Sequence, residues 1–268
     1  MVDLAPLKRA VRHVEDVAQR TLSTVGLRQS DERIAAEAQD YWNSSNERHW
    51  ANNSHWRTGS AFAVDPAGTD LWAEIGRRNL DQFERAARHA GFTGPWGRVL
   101  EWGCGGGANA VHFAPRADEF IGVDVSAASI EECGRQVRAV CDTPFRPVHI
   151  DAATPEKVVD EVGGCRVFVS YYVFELLPSP AYGVRLLRLA RRLLEPGGLA
   201  VIQIKYSDHR WRTRSRGRGY RSGLAEMTTY RIEEFWQLAE DCGLRPLSVE
   251  LVPRNEVDER YAYFALSG

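Results

Sequence analysis

The chain has 268 residues, 44% hydrophobic and 26% charged, with a formal net charge of −2. That length suits one elaborated α/β domain or a domain with a cap, and it is enough to bury a large core. The near-neutral balance supplies no global positive field for nucleic acid or an anionic membrane, and the composition is not that of a disordered chain. Cys104, Cys133, Cys141, Cys165 and Cys242 form no Cys-x-x-Cys pair and have no histidine at metal spacing. A disulfide framework and a metal site are therefore not expected; the pattern fits small buried thiols in a reducing cytoplasm. No run approaches the roughly 20 apolar residues of a membrane span, so a cytoplasmic protein is the expectation.

In chain order, Leu7, Val11, Val14 and Ala18 fall on one face of an amphipathic helix over 4–25. Ser30 caps a second helix running through Ile34 and Ala38 to Tyr41. The next stretch has no period and is rich in aromatics; Trp42, Trp50, His55, Trp56 and Arg57 either pin a loop onto the core or close over a ligand. Asp70 then opens a long helix with Leu71, Ile75, Phe83 and Ala87 inward and Gly91 at its end.

From Val99 strand and helix signals alternate, which favours a parallel sheet covered on both faces. The apolar runs predict strands at 99–101, 120–123, 147–150, 167–170 and 199–204. Ser126 caps one intervening helix, Thr154-Pro155 starts another, and a third places Leu186, Leu187, Ala190, Leu193 and Leu194 on a single face before Pro196-Gly197-Gly198. Residues 205–227 are polar and rich in arginine, an insertion or a mobile segment. A helix from Ile232 to Cys242 and strands at 246–252 and 260–266 close the chain. The connection between those last strands is too short for a parallel crossover, which takes a dozen or more residues, so they form an antiparallel hairpin.

The chemistry concentrates at Val99-Leu100-Glu101-Trp102-Gly103-Cys104-Gly105-Gly106-Gly107-Ala108-Asn109. A buried strand turns there into a helix, and glycines let the backbone approach a bound molecule closely. The glycine pattern also satisfies a dinucleotide fingerprint. A dinucleotide would set its pyrophosphate at the helix N-terminus, where amides favour anionic charge. Glu101 puts a carboxylate at the mouth of the same turn, which suits a cationic ligand better.

Together with Ile-Gly-Val-Asp-Val-Ser around Asp124, Ile-Asp-Ala around Asp151 and Leu-Leu-Glu-Pro-Gly-Gly-Leu around Gly197, this turn makes the chain resemble the class I S-adenosylmethionine-dependent methyltransferases, of small-molecule type, from Val99 to its end. The resemblance implies an α/β fold, a Rossmann-like seven-stranded mostly parallel sheet with a terminal antiparallel strand and helices on both faces, plus an N-terminal helical or lid extension. It divides the chain into that extension, 1–91, and an S-adenosylmethionine-binding domain, 92–268, with 205–230 inserted as a substrate loop. It implies that Gly103, Gly105 and Gly107 face the cofactor's amino-acid portion and ribose, that Glu101 lies near the methionyl ammonium, and that Asp124 accepts from both ribose hydroxyls. Asp151 and the Ala152 amide would read the adenine edge, and Ser170 and Tyr171 would line the site near the methionine. Cys104, Asn109 and Val125 belong to the same cofactor-binding set.

Methyl transfer from a sulfonium needs alignment, exclusion of water and, for a protonated acceptor, a base; no metal is required in principle. After the fourth strand, many small-molecule relatives carry Leu-Glu-His-Leu, and here Leu176 stands where that histidine would be. Glu175, His55 and His209 remain as candidate acids or bases. Trp42, Trp56, Arg57, Tyr172, Lys205 and Tyr206 are candidate substrate contacts, although packing accounts for the aromatics equally well. The expected reaction moves the methyl group to an O, N or C nucleophile of a small molecule, such as a natural product or sugar in a biosynthetic step, with S-adenosyl-L-homocysteine as product. The basic run 209–221 keeps an RNA or protein methyltransferase open as an alternative, and the fingerprint keeps an NAD-binding oxidoreductase open. Oligomeric state is not legible.

Overall fold

The computed structural model describes residues 29–44, 70–208, 210, 213–220, 227–254 and 259–268. The helix expected over 4–25, together with His55, Trp56, Arg57 and His209, lies outside these. Two helices precede the sheet: α1 (Asp31–Asn43), whose Ser30 cap accepts from the Arg33 amide, and α2 (Leu71–His89), whose Asp70 cap accepts from the Ala73 amide. Each cap satisfies one of the amides that a helix start leaves without an internal partner.

Seven strands follow: β1 (Arg98–Trp102), β2 (Glu119–Asp124), β3 (Phe145–His149), β4 (Cys165–Ser170), β5 (Leu194–Lys205), β6 (Arg245–Leu251) and β7 (Tyr261–Ser267). They form one sheet in the order β3-β2-β1-β4-β5-β7-β6, with β1 to β5 parallel and β7 antiparallel to both β5 and β6. The hairpin expected at the end of the chain is present, and β7 is inserted between β5 and β6. Strand β5 begins earlier than its apolar run suggests, because Leu194 already pairs with Cys165 before an irregularity spanning the glycine pair. Between the strands lie α3 (Ala110–Phe113), α4 (Ala127–Val140), α5 (Val158–Val162), α6 (Pro180–Leu193) and α7 (Ile232–Asp241).

Alternation along each strand sorts side chains into two cores. Leu100, Trp102, Ile121, Phe168, Ile202 and Phe264 pack against α5, α6 and α7. Val99, Phe120, Val167, Val169, Val201 and Tyr263 pack against α2, α3 and α4. The period-two geometry of a strand places successive residues on opposite faces, and both faces here are covered, so the strands read as continuous apolar runs. Helix α2, which the motif boundary at 92 grouped with the N-terminal extension, contributes Leu80, Phe83, Ala86 and Ala87 to the second core. Fully burying one such large apolar side chain contributes about 1.5–3 kcal/mol.

A third, smaller cluster joins α1 to the polar segment after β5: Ile34 and Ala38 pack with Tyr220 and Met227, and Tyr41 and Trp42 lie against them. The described part of that segment is tied down. Thr229 Oγ1 donates to Thr213 O at 2.9 Å, the Thr229 amide donates to Ser215 Oγ at 2.9 Å, and the Gln29 amide donates to Gly217 O at 3.2 Å. No helix among the described residues is long and apolar enough to cross a membrane.

Candidate functional site

A cleft of about 800 Å³, open to solvent, lies at the carboxyl ends of β1, β2, β3 and β4. The strand order reverses between β1 and β4, and open α/β sheets bind ligands at that switch point. The floor of the cleft is Trp102, Gly103, Gly105, Asp124 and Val125; Ile150 and Ala152 close one end, and Tyr171, Tyr172 and Val173 form the side toward β4. Ala35, Ala38 and Trp42 from α1, with Tyr220, make a roof.

The glycine turn is shaped by its surroundings. Gly103 has φ +78°, and a Cβ there would collide with the Val173 side chain; Gly107 has φ +92°, and its Cβ would lie 3.1 Å from the Cys133 backbone. Both positions combine a left-handed backbone with close approach, the two reasons a chain uses glycine. If the cofactor is the one the resemblance implies, Gly103→Ala is expected to lower affinity for S-adenosylhomocysteine (SAH) at least tenfold, because the side chain would push Val173 into the cleft or rearrange the turn; calorimetry checks it, with a melting curve to confirm folding. The Gly103 and Cys104 amides both donate to Val123 O, at 2.7 and 3.1 Å, which fixes the turn against the end of β2.

Asp124 closes the turn from the other side. Its Oδ2 accepts from the Gly105 amide and its Oδ1 from the Ser126 amide, each at 2.9 Å. Burial pushes its carboxyl upward in pKa, and the amides of Gly105, Ser126 and Val125 oppose that by stabilising the anion. Each carboxylate oxygen retains a lone pair for a further donor in the cleft.

Glu101 follows from the strand alternation: with Leu100 and Trp102 facing one core, its side chain turns to the other, toward α2 and α3. It is 1% exposed. Its Oε1 accepts from Asn109 Nδ2 at 2.6 Å, and Asn109 Oδ1 accepts in turn from Asn79 Nδ2 of α2 at 2.8 Å. Its Oε2 is buried with no hydrogen-bond partner among the described residues. Burial raises the Glu101 pKa to about 8, with Asp124 adding to the rise and the Asn109 hydrogen bond opposing it. A buried, unsatisfied carboxylate oxygen beside a glycine turn is costly unless a cationic donor reaches it.

Around the outlet of β4, Tyr172 has φ +57°, a conformation of order 1–3 kcal/mol in cost for a residue with a side chain. Its amide donates to Gln203 Oε1 at 2.6 Å, and its ring meets Tyr261 edge-on at 5.5 Å. Glu175 is 2% exposed, and its Oε1 accepts from Tyr261 Oη at 3.1 Å beneath the cleft wall. Lys205 is buried with its ammonium 5.4 Å from the Tyr261 ring. Tyr206 packs against the first core and bridges to Tyr230.

Of the residues expected from the sequence, the structure brings Gly103, Gly105, Asp124, Val125, Ala152, Tyr171, Tyr172 and Trp42 to the cleft surface. Glu101, Asn109 and Gly107 are buried and do not line it. Cys104 is turned away, with its Sγ under Gly122, and Ser170 Oγ donates to Trp102 O at 3.1 Å. Asp151 is exposed and its Oδ1 accepts from the Ala153 amide at 2.7 Å, so its side chain caps its own turn. The Ala152 amide donates to Gln39 Oε1 at 2.9 Å. Glu175, Lys205 and Tyr206 do not line the cleft.

Sequence reasoning missed Asn79, Gln39, Ala35, Leu176, Leu177 and Tyr182. Leu177 and Tyr182 carried no signal beyond an apolar helix and turn, Leu176 stood out only as the place of the relatives' histidine, Gln39 directly follows the core position Ala38, and Asn79 sits one turn from Ile75 and Phe83. The helical spacing of Ala35, Ala38 and Trp42 was the only available hint of a shared face.

A family model described as "Methyltransferase domain" matches residues 70–249. No curated protein matches the chain. Solved structures share its fold: a SAM-dependent methyltransferase from Leishmania major is 14% identical, with 87% of this chain and 83% of that one covered at a TM-score of 0.59. Magnesium protoporphyrin IX methyltransferase from Synechocystis, solved with bound SAH, is 12% identical, with 87% and 99% covered at 0.59. The CcbJ methyltransferase from Streptomyces caelestis is 19% identical, with 70% and 89% covered at 0.51.

Proposed function

Since the chain belongs to the methyltransferase-domain family, we propose that it transfers the methyl group of S-adenosylmethionine to a small-molecule acceptor held under the α1 roof. The observation that carries this reading is the pair of carboxylates, Glu101 and Asp124, at the ends of adjacent strands on either side of the glycine turn. Glu101, with its unsatisfied Oε2, fits an ammonium; Asp124, with lone pairs toward the cleft, fits vicinal hydroxyls. The cofactor supplies an electrophilic methyl on a sulfonium, whose positive charge is lost on transfer.

The chain's own residues have the remaining tasks. Asn79 and Asn109 fix the Glu101 carboxylate in one orientation. The strained Tyr172, held through Gln203, sets the wall against which an acceptor would align. Trp42, Leu176, Leu177 and Tyr220 exclude water from the roofed part of the cleft. These surfaces favour an acceptor with an apolar or planar body, of the natural-product or similar metabolite kind. We assign the acceptor side to the Trp42 end of α1 together with the segment after β5, and the cofactor side to the sheet's carboxyl edge. His55 and His209 remain the candidate bases outside the described residues; Glu175, held by Tyr261, is better suited to fixing the loop.

The first test is calorimetry with S-adenosylhomocysteine, followed by transfer from radiolabelled S-adenosylmethionine to a panel of planar acceptors. Trp42→Ala is expected to raise the acceptor KM about tenfold while SAH affinity changes less than threefold, consistent with loss of an aromatic contact. Equal loss of both would place Trp42 in the cofactor site instead. A second reading, methylation of RNA or protein through the basic run, draws on the exposure of Arg210, Arg214, Arg216 and Arg218. It predicts polynucleotide binding that falls steeply with salt.

A further inference from the structure

The carboxamide of Gln39 spans the gap between the ends of β2 and β3. Its Nε2 donates to Val125 O at 3.0 Å, and its Oε1 accepts from the Ala152 amide at 2.9 Å. A donor beside an acceptor is the pattern a carboxamide presents, and it is also the pattern of an adenine edge, where the amino group adjoins a ring nitrogen. Both Val125 and Ala152 line the cleft. On the cofactor reading above, on which this inference rests, the adenine ring lies at this end and its ring nitrogen N1 needs the Ala152 amide.

One amide carries one hydrogen and cannot serve two acceptors at full strength. The Asp151–Ala152 peptide that carries this amide is held from its other side, because Asp151 O accepts from the Thr154 amide at 3.0 Å, and the following peptide is held by Tyr182 Oη, which donates to Ala152 O at 2.6 Å. Helix α1 is also held in place: Asp31 accepts from Ser179 Oγ, Trp42 Nε1 donates to Tyr220 Oη at 2.9 Å, and Ile34 and Ala38 are buried. What can move without disturbing these anchors is the half-buried Gln39 side chain, by a change of staggered rotamer. We propose that Gln39 competes with the adenine ring for the Ala152 amide and thereby sets the affinity of the cofactor from the roof of the cleft. Its side chain swings away when adenine takes the amide, and α1 stays where it is. Gln39 is thus a residue that tunes cofactor specificity and release, and it has no part in the chemical step.

The test is calorimetric binding of SAH to the wild type, Gln39→Ala and Gln39→Leu, each first checked by its melting curve. Both variants are expected to bind SAH more tightly, by about three- to tenfold, the factor that one released hydrogen bond is worth. An SAH analogue built on 1-deazaadenine, which lacks the N1 acceptor, is expected to bind wild type and variants alike. Unchanged or weaker SAH binding in the two variants would overturn the proposal and make Gln39 part of the adenine cradle or a strut of α1. A wild type that binds no SAH defeats the methyl-donor reading itself, and this inference with it; wild-type binding without a gain in the variants defeats the inference alone.

Discussion

Asp124→Ala is expected to weaken SAH binding by about 10²-fold or more, the largest loss of any single substitution in the cleft. Two hydroxyls donating to one carboxylate are charge-assisted contacts of about 1.5–3 kcal/mol each, and 2.7 kcal/mol already corresponds to a hundredfold. The carboxylate has a second duty, since it receives the Gly105 and Ser126 amides and so holds the glycine turn against the start of α4. The alanine variant therefore loses melting temperature as well. Asp124→Asn separates the two duties: its oxygen still accepts from one amide, while the charge and one acceptor are gone. Its melting temperature should fall less than that of the alanine variant, with most of the affinity loss retained. SAH affinity unchanged in Asp124→Asn would remove this residue from the cofactor site.

Glu101 produces the second large effect, and it is read in pH. With its pKa raised to about 8 by burial, the folded protein keeps this carboxyl protonated at neutral pH, whereas the unfolded chain ionises it at an ordinary value near 4.3. The folded state binds the extra proton, so the Glu101 contribution to stability is fully present below the unfolded pKa. It is lost as pH rises through about 8, at roughly 1.4 kcal/mol per unit between the two values. A ligand ammonium reverses the balance by favouring the carboxylate, and binding then releases a proton. SAH affinity is expected to increase by up to about tenfold per pH unit between pH 6 and 8 and to level off above about 8, where Glu101 is already ionised in the free protein and binding releases no proton. Calorimetry in two buffers of different ionisation enthalpy would count the proton. In Glu101→Gln the slope should vanish and the affinity at pH 8 should fall by one to two orders of magnitude, about the 1.5–3 kcal/mol of one charged hydrogen bond. A slope that persists in the glutamine variant assigns the proton to another group.

Much of this molecule is legible in its residues because the signals are local. Ser30, Asp70 and Ser126 each stand at a helix start and accept from the amide three residues on, and a cap needs only its own neighbours. The strand runs are visible because parallel strands covered on both faces are apolar throughout. The glycine turn, Glu101 and Asp124 are likewise fixed by their place at the ends of β1 and β2, positions that an apolar run followed by a polar residue marks out.

The remainder depends on residues far apart in sequence. Nothing near Lys205 or Met227 shows that this polar, arginine-rich stretch sends Tyr220 and Met227 under α1, because that packing pairs residues some 180 positions apart; only the folded chain brings Trp42 to Tyr220. Nor does any local pattern give Glu101 its asparagine partners, or Gln39 its bridge between Val125 and Ala152. The sequence alone determined where most strands and helices lie, since these rest on periodicity and on short-range turns and caps, while the resemblance to a family implied the seven-stranded sheet and the reading of the glycine turn as a donor's seat. The tertiary structure decided which groups are buried without a partner, what roofs the cleft and which side chain contests the Ala152 amide, because burial and long-range hydrogen bonding exist only once the layers have packed.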